Sequence, residues 1–369
     1  MAIFIPKDKK IKDIVEYIKK GEDIIVTDNN GKPLGVLENS KAIRYLYRPD
    51  TKIEKVVNRI KSLKTNKIID IVEKLINSNS RVTFVRENGK IKIVNVYDML
   101  KEILNDKDIL RKMNLNEIIN EAYTIYEDEN IKKAIGIMKD KGISRLIVLD
   151  KNNKVSGIIS LTDILKYMLI DNNNNNIRTP NEKDFDIKIK SIMNSKLIFA
   201  NIDDNIEKII NLMIENKVFS LPILDNGNLV GIITAKDILI SYLQHKKEKE
   251  YNLVVHGIPL DEIDINYIKK IYEKFYKKYR NVLGENIRLS LHIKKINEDR
   301  VNKKIYYQIK AKLIYNNGKF SIDDRGYDLY STIKDVFSIL ENEAEKIKHK
   351  NESRYMLENM FKNDIIYYL

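Results

Sequence analysis

The sequence predicts a mixed α/β (α+β) protein in two parts: four tandem helix-strand-strand-helix repeats over residues 1–245 and a β-α-β-β-β-α domain over 251–350. Three observations predict it. The stretch Gly157-Ile158-Ile159-Ser160-Leu161-Thr162-Asp163-Ile164-Leu165 returns 74 positions later as Gly231-Ile232-Ile233-Thr234-Ala235-Lys236-Asp237-Ile238-Leu239. Each copy follows two apolar runs joined by a polar turn. After the charged joint Lys246-Lys247-Glu248-Lys249-Glu250 the pattern changes to alternating strands between two amphipathic helices.

Two worn copies come first, Gly35-Val36-Leu37-Glu38-Asn39-Ser40-Lys41-Ala42-Ile43 and Lys92-Ile93-Val94-Asn95-Val96-Tyr97-Asp98-Met99-Leu100. The turns ahead of the four copies are Asp28-Asn29-Asn30-Gly31, Glu87-Asn88-Gly89, Asp150-Lys151-Asn152-Asn153 and Asp225-Asn226-Gly227. Asn-Gly and its relatives between β-branched runs indicate hairpins, because such turns need positive φ. Upstream, Ile131, Ala134, Ile135 and Met138, and again Ile206, Ile209, Ile210 and Met213, have the three-and-four spacing of a helix. A second helix opens near Thr162 or Ala235. The run from Asp171 to Pro180 favours no regular element and reads as a linker, about residues 171–186, between repeats three and four.

With 369 residues, 43% hydrophobic and 32% charged, the chain has room for two or three cored domains. The absence of Cys excludes disulfides, thiolate catalysis and cysteine zinc sites. No apolar run approaches the roughly 20 residues of a membrane helix, and Met1 to Pro6 is too short for the apolar region of a signal peptide. A cytoplasmic protein with no membrane partner is expected. The net charge of +13 favours an acidic partner, although a lysine-rich solvated surface also accounts for it. Phosphate-loop, dinucleotide, zinc-protease and calcium-loop motifs are missing, and His245, His256, His292 and His349 are scattered singly. Neither a catalytic nor a metal site is assigned, and an enzyme is not expected.

The repeat, apolar-Gly-apolar-apolar-Ser/Thr-x-x-Asp followed by a helix, resembles the cystathionine-β-synthase (CBS) domain. The resemblance is specific in repeats three and four and weaker in two and one. It implies two CBS pairs, residues 1–107 and 108–245 (repeats one with two, and three with four), forming a disc-like module with clefts for an adenine nucleotide (ATP, ADP or AMP). It also implies a homodimer through these modules. Carried over by position, Ser160 with Asp163 and Thr234 with Asp237 would hold ribose, and S-adenosyl compounds are alternative ligands. Asp98 keeps the acid with Asn95 in the hydroxyl's place, whereas Lys41 leaves repeat one without a ribose site. Ile143, Leu146, Ile198 and Leu221 are candidates for the adenine contact, Arg145 and Lys236 for phosphate. A second reading stands beside this one: a Ser or Thr ahead of a first-turn Asp also caps a helix, worth roughly 1 kcal/mol with no ligand.

In the last part Tyr251–Gly257 reads as a strand and Asp264 as the cap of a helix through about Arg280. Strands at Ile287–Ile293, Ile305–Leu313 and about Phe320–Ile322 follow, then a helix from Leu329 to Lys350, with 351–369 as a tail. From Asn266 to Lys319 there are 15 Lys and Arg against 4 acids. Lys269, Lys270, Lys277, Lys278 and Arg280 on the helix, with Lys294, Lys295, Lys310 and Lys312 on the strands, are candidates for binding an RNA backbone; a solvated helix face is the plain alternative. Of the 21 tyrosines 13 follow residue 250, with Tyr306 and Tyr315 able to stack on bases and Tyr272, Tyr276 and Tyr279 spaced for a core.

The strand ending at Gly257, the basic first helix and the run Gly326-Tyr327-Asp328-Leu329-Tyr330-Ser331-Thr332-Ile333-Lys334-Asp335 resemble the ribosome hibernation-promoting factor family. That resemblance implies the small ribosomal subunit and its rRNA as partner. The joint expectation is a nucleotide-sensing, ribosome-associated factor; the alternative is a CBS-type regulatory subunit acting on a protein partner.

Overall fold

The computed structural model describes residues 3–366 apart from 21, 79, 88–89, 171–176, 179, 247–251, 259–262, 300–303 and 317. The chain falls into two compact units, Met1–Leu75 with Ser80–Ser241, and Ile76–Asn79 with Tyr242–Leu369. Repeat one comprises β1 (Ile3–Pro6), α1 (Val15–Lys20), β2 (Ile24–Thr27), β3 (Pro33–Leu37) and α2 (Asn39–Ala42). Repeat two comprises β4 (Asn58–Arg59), α3 (Ile68–Asn77), β5 (Val82–Glu87), β6 (Lys90–Asn95) and α4 (Val96–Asn105). Short helices α5 (Lys107–Lys112) and α6 (Leu115–Ile118) lead to repeat three: β7 (Thr124–Tyr126), α7 (Ile131–Asp140), β8 (Arg145–Leu149), β9 (Val155–Ser160) and α8 (Leu161–Leu169). Repeat four holds β10 (Ala200–Asn201), α9 (Ile206–Glu215), β11 (Ser220–Asp225), β12 (Asn228–Thr234) and α10 (Ala235–Lys246). The division between units falls inside α10, ahead of the expected joint, of which 247–250 lie outside the described residues.

The hairpins form as the turns dictate. Asp28 Oδ1 accepts from the backbone N–H of Asn30 and Lys32, and Asp150 Oδ1 from Asn152 and Lys154, all at 2.8–2.9 Å. Gly31, Asn153, Asn226 and Gly227 take the positive φ. The turn at Asn88-Gly89 lies outside the described residues. Strands β1, β7 and β10 pair in parallel with the first hairpin strand of their repeats. They are too short to show a period, so sequence patterning does not announce them.

The motif glycine has a structural cause. The outer edge of β9 bridges to Asn194, just ahead of repeat four, and that of β12 to Asn120, just ahead of repeat three, so each repeat completes its neighbour's sheet. A Cβ on Gly157 would lie 2.7 Å from the Asn194 carbonyl oxygen, and one on Gly231 would lie 2.5 Å from that of Asn120 and collide with Ile119. Gly35 admits β4 against β3 in the same way. Repeat two has Lys92 at this place, and its described sheet is the β5–β6 hairpin with a single parallel bridge from Leu63 to Val85.

Repeats one and three share a core in which Ile11, Ile18, Leu37 and Ile43 meet Ile131, Ala134, Val148 and Ile164, all fully buried. Ile25, Val36, Ile60 and Phe84 join repeat one to repeat two. Helix α2 and the turn Ile43–Tyr45 pack on α8, and α4 packs on α9, so repeat one faces three and repeat two faces four. Part of the expected linker is ordered: Glu182–Asp186 forms a 3₁₀ turn, with Asp184 buried and held by both terminal nitrogens of Arg178 at 3.0 and 3.1 Å. Residues 171–176 and 179 lie outside the described residues.

The second unit follows the expected order: β13 (Leu253–His256), α11 (Ile265–Leu283), β14 (Arg288–Asp299), β15 (Lys304–Tyr315), β16 (Gly318–Gly326) and α12 (Leu329–Ile366). Its sheet runs β13-β14-β15-β16 with the first pair parallel. Tyr272, Phe275 and Tyr279 of α11 and Ile333, Phe337 and Leu340 of α12 are buried against Leu289, Leu291, Ile309 and Leu313, so both helices cover one face. Two expected ends are corrected. Helix α11 runs past Arg280 to Leu283, and α12 does not stop at Lys350, because no Gly or Pro interrupts Leu329–Ile366. Residues 351–366 are therefore helix rather than tail.

Candidate functional site

Three repeats close their hairpin with the same cap. The Ser160 hydroxyl accepts from the Asp163 N–H at 3.2 Å, while the Ser160 N–H and hydroxyl both donate to Asp163 Oδ2 at 2.9 and 2.5 Å. Thr234 and Asp237 repeat this at 3.3, 2.8 and 2.6 Å, and Asn95 and Asp98 cap reciprocally at 3.0 and 2.9 Å. The capping reading is thus correct as far as it goes. It uses one carboxylate oxygen: among the described residues the Oδ1 atoms of Asp163 and Asp237 accept no hydrogen bond.

Behind the caps lies a half-buried cluster of charges. Arg145 opens β8 opposite Ser160 in the ladder, which places its guanidinium beside Asp163. Burial, then neighbouring Arg81, weakens its hold on its proton, opposed by Asp163 and Asp237. Cations from repeats two and three therefore meet acids from three and four. Burial pushes Lys236 down to about 8 against the pull of Asp237 and Glu38, and lowers Lys166 against Asp163. The Arg81 guanidinium lies 4.1 Å over the ring of Phe219, which in turn lies 4.7 Å from the ring of Tyr97. Burial raises the Tyr97 phenol to about 12. The Tyr97 hydroxyl and Glu38 Oε1 are buried without a hydrogen-bond partner among the described residues.

Repeat one departs from the others. Glu38 stands at the cap position and Lys41 at that of the acid, and α2 is four residues long. Burial and Asp23 raise the Glu38 carboxyl, while a Ser80 hydrogen bond, Arg81 and Lys41 oppose the rise. A cleft of about 250 Å³ opens beside this cluster, between Lys19 of α1, Asp163, Lys166 and Tyr167 of α8, and Ser191 with Ile192. It offers the open acid two neighbouring lysines. Such an arrangement can bind a polyol through the carboxylate and an anion through cations that burial leaves short of solvent.

The structure brings Ser160, Asp163, Thr234, Asp237, Arg145 and Lys236 together, and Asp98 takes the equivalent place in repeat two. Ile143 and Ile198 are half-buried. Leu146 and Leu221 are 1% and 0% exposed, filling the cores of their repeats, so they cannot face adenine. Sequence reading missed Glu38, Arg81, Tyr97, Lys166 and Phe219. Arg81 and Phe219 both immediately precede the first hairpin strand of their repeats, so superposing the repeats residue by residue marks both.

In the second unit the nine expected cations do not form one surface. Lys269, Lys270, Lys277 and Arg280 are exposed along α11. Lys278 is engaged by Glu341 at 3.1 Å and Glu345 at 3.6 Å. Lys294, Lys310 and Lys312 alternate with buried Ile293, Ile309, Ala311 and Leu313, which directs them to the sheet face away from the helices; Lys310 lies 3.7 Å from Asp323. Lys295 is exposed beside a β-bulge.

Residues 107–170 and 189–243 match the CBS domain, so repeats three and four are CBS domains. The chain is similar to uncharacterized protein MJ1225 of Methanocaldococcus jannaschii, 29% identical over 168 residues, which is 42% of this chain and 60% of that protein. The crystal structure of MJ1225, which has been proposed as an archaeal homolog of g-AMPK, superposes with a TM-score of 0.52 at 21% identity, covering 65% of this chain and 95% of that one; it shares the fold. Uncharacterized protein MJ1426 of the same organism is 29% identical over 163 residues, 36% of this chain and 97% of that protein. A homoserine O-acetyltransferase of Methanococcus vannielii is 31% identical over 156 residues, 42% of this chain and 28% of the transferase. The matched sequence segments thus span less than two thirds of both the transferase and MJ1225. No helix among the described residues is long and apolar enough to cross a membrane.

Proposed function

We propose that the four-repeat unit is an adenine-nucleotide sensor. Ribose hydroxyls sit on the open oxygens of Asp163 and Asp237, and phosphates point toward Arg145, Arg81 and Lys236. The observation that carries this reading is the meeting of Arg81, Arg145, Asp163 and Asp237, contributed by three repeats, at a place where burial leaves the cations under-solvated. Calorimetry with ATP, ADP and AMP tests it: binding in the micromolar range is expected, abolished by Asp163→Ala with Asp237→Ala. Because Tyr97 and Phe219 already occupy the space between repeats two and four, the Asp98 position is the weaker of the three. The reading assigns no catalysis, so nucleotide incubated with the protein stays intact, and light scattering at the mass of two chains would support the expected homodimer.

The second unit supplies the output in this reading, docking on the small ribosomal subunit through rRNA. Its support is the excess of Lys and Arg from Asn266 to Lys319. The division of those cations between two faces, and the engagement of Lys278 by α12, favour the other reading, a regulatory subunit that docks on a protein. Gradient co-sedimentation with small subunits at low salt, with and without ATP or AMP, separates them: a protein that stays at the top in every condition is not a ribosome factor.

A further inference from the structure

Repeat one carries a carboxylate where its three counterparts carry a hydroxyl or an amide. Glu38 lies between β3 and α2, so its side chain leaves the hairpin at the position of Asn95, Ser160 and Thr234. It caps nothing in the manner of the other three, since the residue three positions on is Lys41 rather than Asp. Its Oε1 is buried and accepts no hydrogen bond among the described residues, while Ser80 holds the carboxyl from the adjoining repeat. Lys41 of its own repeat and Arg81 of repeat two act on it, as does Asp23, and it acts in turn on Lys236 of repeat four. Two of these cations, Arg81 and Lys236, are those assigned to phosphate above.

We infer that Glu38 is a tethered anion at the phosphate end of the central site, competing with ligand phosphate for Arg81 and Lys236 and so selecting against highly charged ligands. The inference rests on the proposed nucleotide site for its location. The physical reason is that like charges brought together out of water repel, and the cost rises with the charge brought in. With Glu38 ionised, Arg81 and Lys236 keep a net charge of about +1, which a monophosphate of about −1.5 to −2 exceeds slightly and a di- or triphosphate exceeds by more. Burial already weighs against the ionised carboxyl, and an arriving phosphate adds to that weight, so the ligand enters with uptake of a proton at Glu38. The ligand class favoured is a nucleoside monophosphate over the corresponding triphosphate.

The test uses the full chain and inorganic pyrophosphate as probe, beside AMP and ATP. Glu38→Gln keeps the shape and the Ser80 hydrogen bond while removing the charge; Glu38→Ser installs the hydroxyl of repeat three and decides the matter if the first variant does not fold. At pH 7 each variant should bind pyrophosphate about tenfold more tightly than the wild type, equivalent to about 1.4 kcal/mol, and shift the ATP-to-AMP affinity ratio toward ATP. Unchanged, weaker or absent pyrophosphate binding in the folded variants overturns the inference. If AMP binding depends on Asp163 but pyrophosphate affinity ignores Glu38, the nucleotide site stands and the tethered anion falls. If pyrophosphate tightens while no nucleotide binds, the tethered anion stands and the nucleotide reading falls.

Discussion

Asp163 and Asp237 serve the fold and the candidate site with different oxygens. Asparagine at these positions keeps an acceptor for the Ser160 or Thr234 N–H but removes the charge that a ribose diol prefers. Asp163→Asn with Asp237→Asn should therefore leave thermal unfolding nearly unchanged while weakening AMP at least tenfold in calorimetry; the alanine pair should also lose roughly 1 kcal/mol of stability per cap. Lys236 makes a second residue-scale prediction. Its folded-state pKa of about 8 lies below the ordinary 10.5, so between these values the unfolded chain binds the proton that the folded chain has released. Stability from this group then rises with pH across that window, and anion affinity, which needs the protonated amine, falls as pH rises through 8. Wild type should lose pyrophosphate affinity from pH 7 to 9 more steeply than Lys236→Met; parallel titrations would contradict the assignment. At this scale the Ser/Thr-x-x-Asp spacing was legible, because a cap is local. The partners of Arg145 were not, since Arg81 lies 64 positions away and meets it only through the packing of repeats.

The elements owe their exchange of strand edges to glycine. A methyl group at Gly157 or Gly231 would meet backbone carbonyls, which cannot step aside as a flexible side chain can. Gly157→Ala and Gly231→Ala should each destabilise the first unit by about 1–3 kcal/mol, read as a lowered denaturant midpoint. Lys92→Gly in repeat two, where no described strand crosses, should change stability by less than either. Helices α7 and α9 were readable from three-and-four spacing and the hairpins from their turns. The short strands β1, β7 and β10 were not, because parallel pairing to a partner more than twenty residues along leaves no mark in two to four residues.

The molecule as a whole places its cations where a linear count cannot. Lys269, Lys270, Lys277 and Arg280 look outward from α11, while Lys294, Lys310 and Lys312 occupy the opposite side of the sheet. A single rRNA interface should depend on one set and ignore the other. If the ribosome reading holds, changing one set to glutamate should reduce co-sedimentation several-fold and flatten the salt dependence by about 0.9 for each phosphate no longer neutralised, with the other set unaffected. Equal, small losses from both sets would favour a protein partner.

By itself the sequence determined the number of repeats, the kind of elements, their order through both units and the residues that cap the helices. Those features follow from periodicity, turn chemistry and neighbours within about four positions. Only the tertiary structure decided that repeat one faces three and two faces four, that Leu146 and Leu221 are core, and that Glu38, Arg81, Arg145 and Lys236 share one half-buried cluster. The reason is physical: burial and charge proximity depend on how separate repeats pack, and residues that meet across those contacts need share no spacing along the chain.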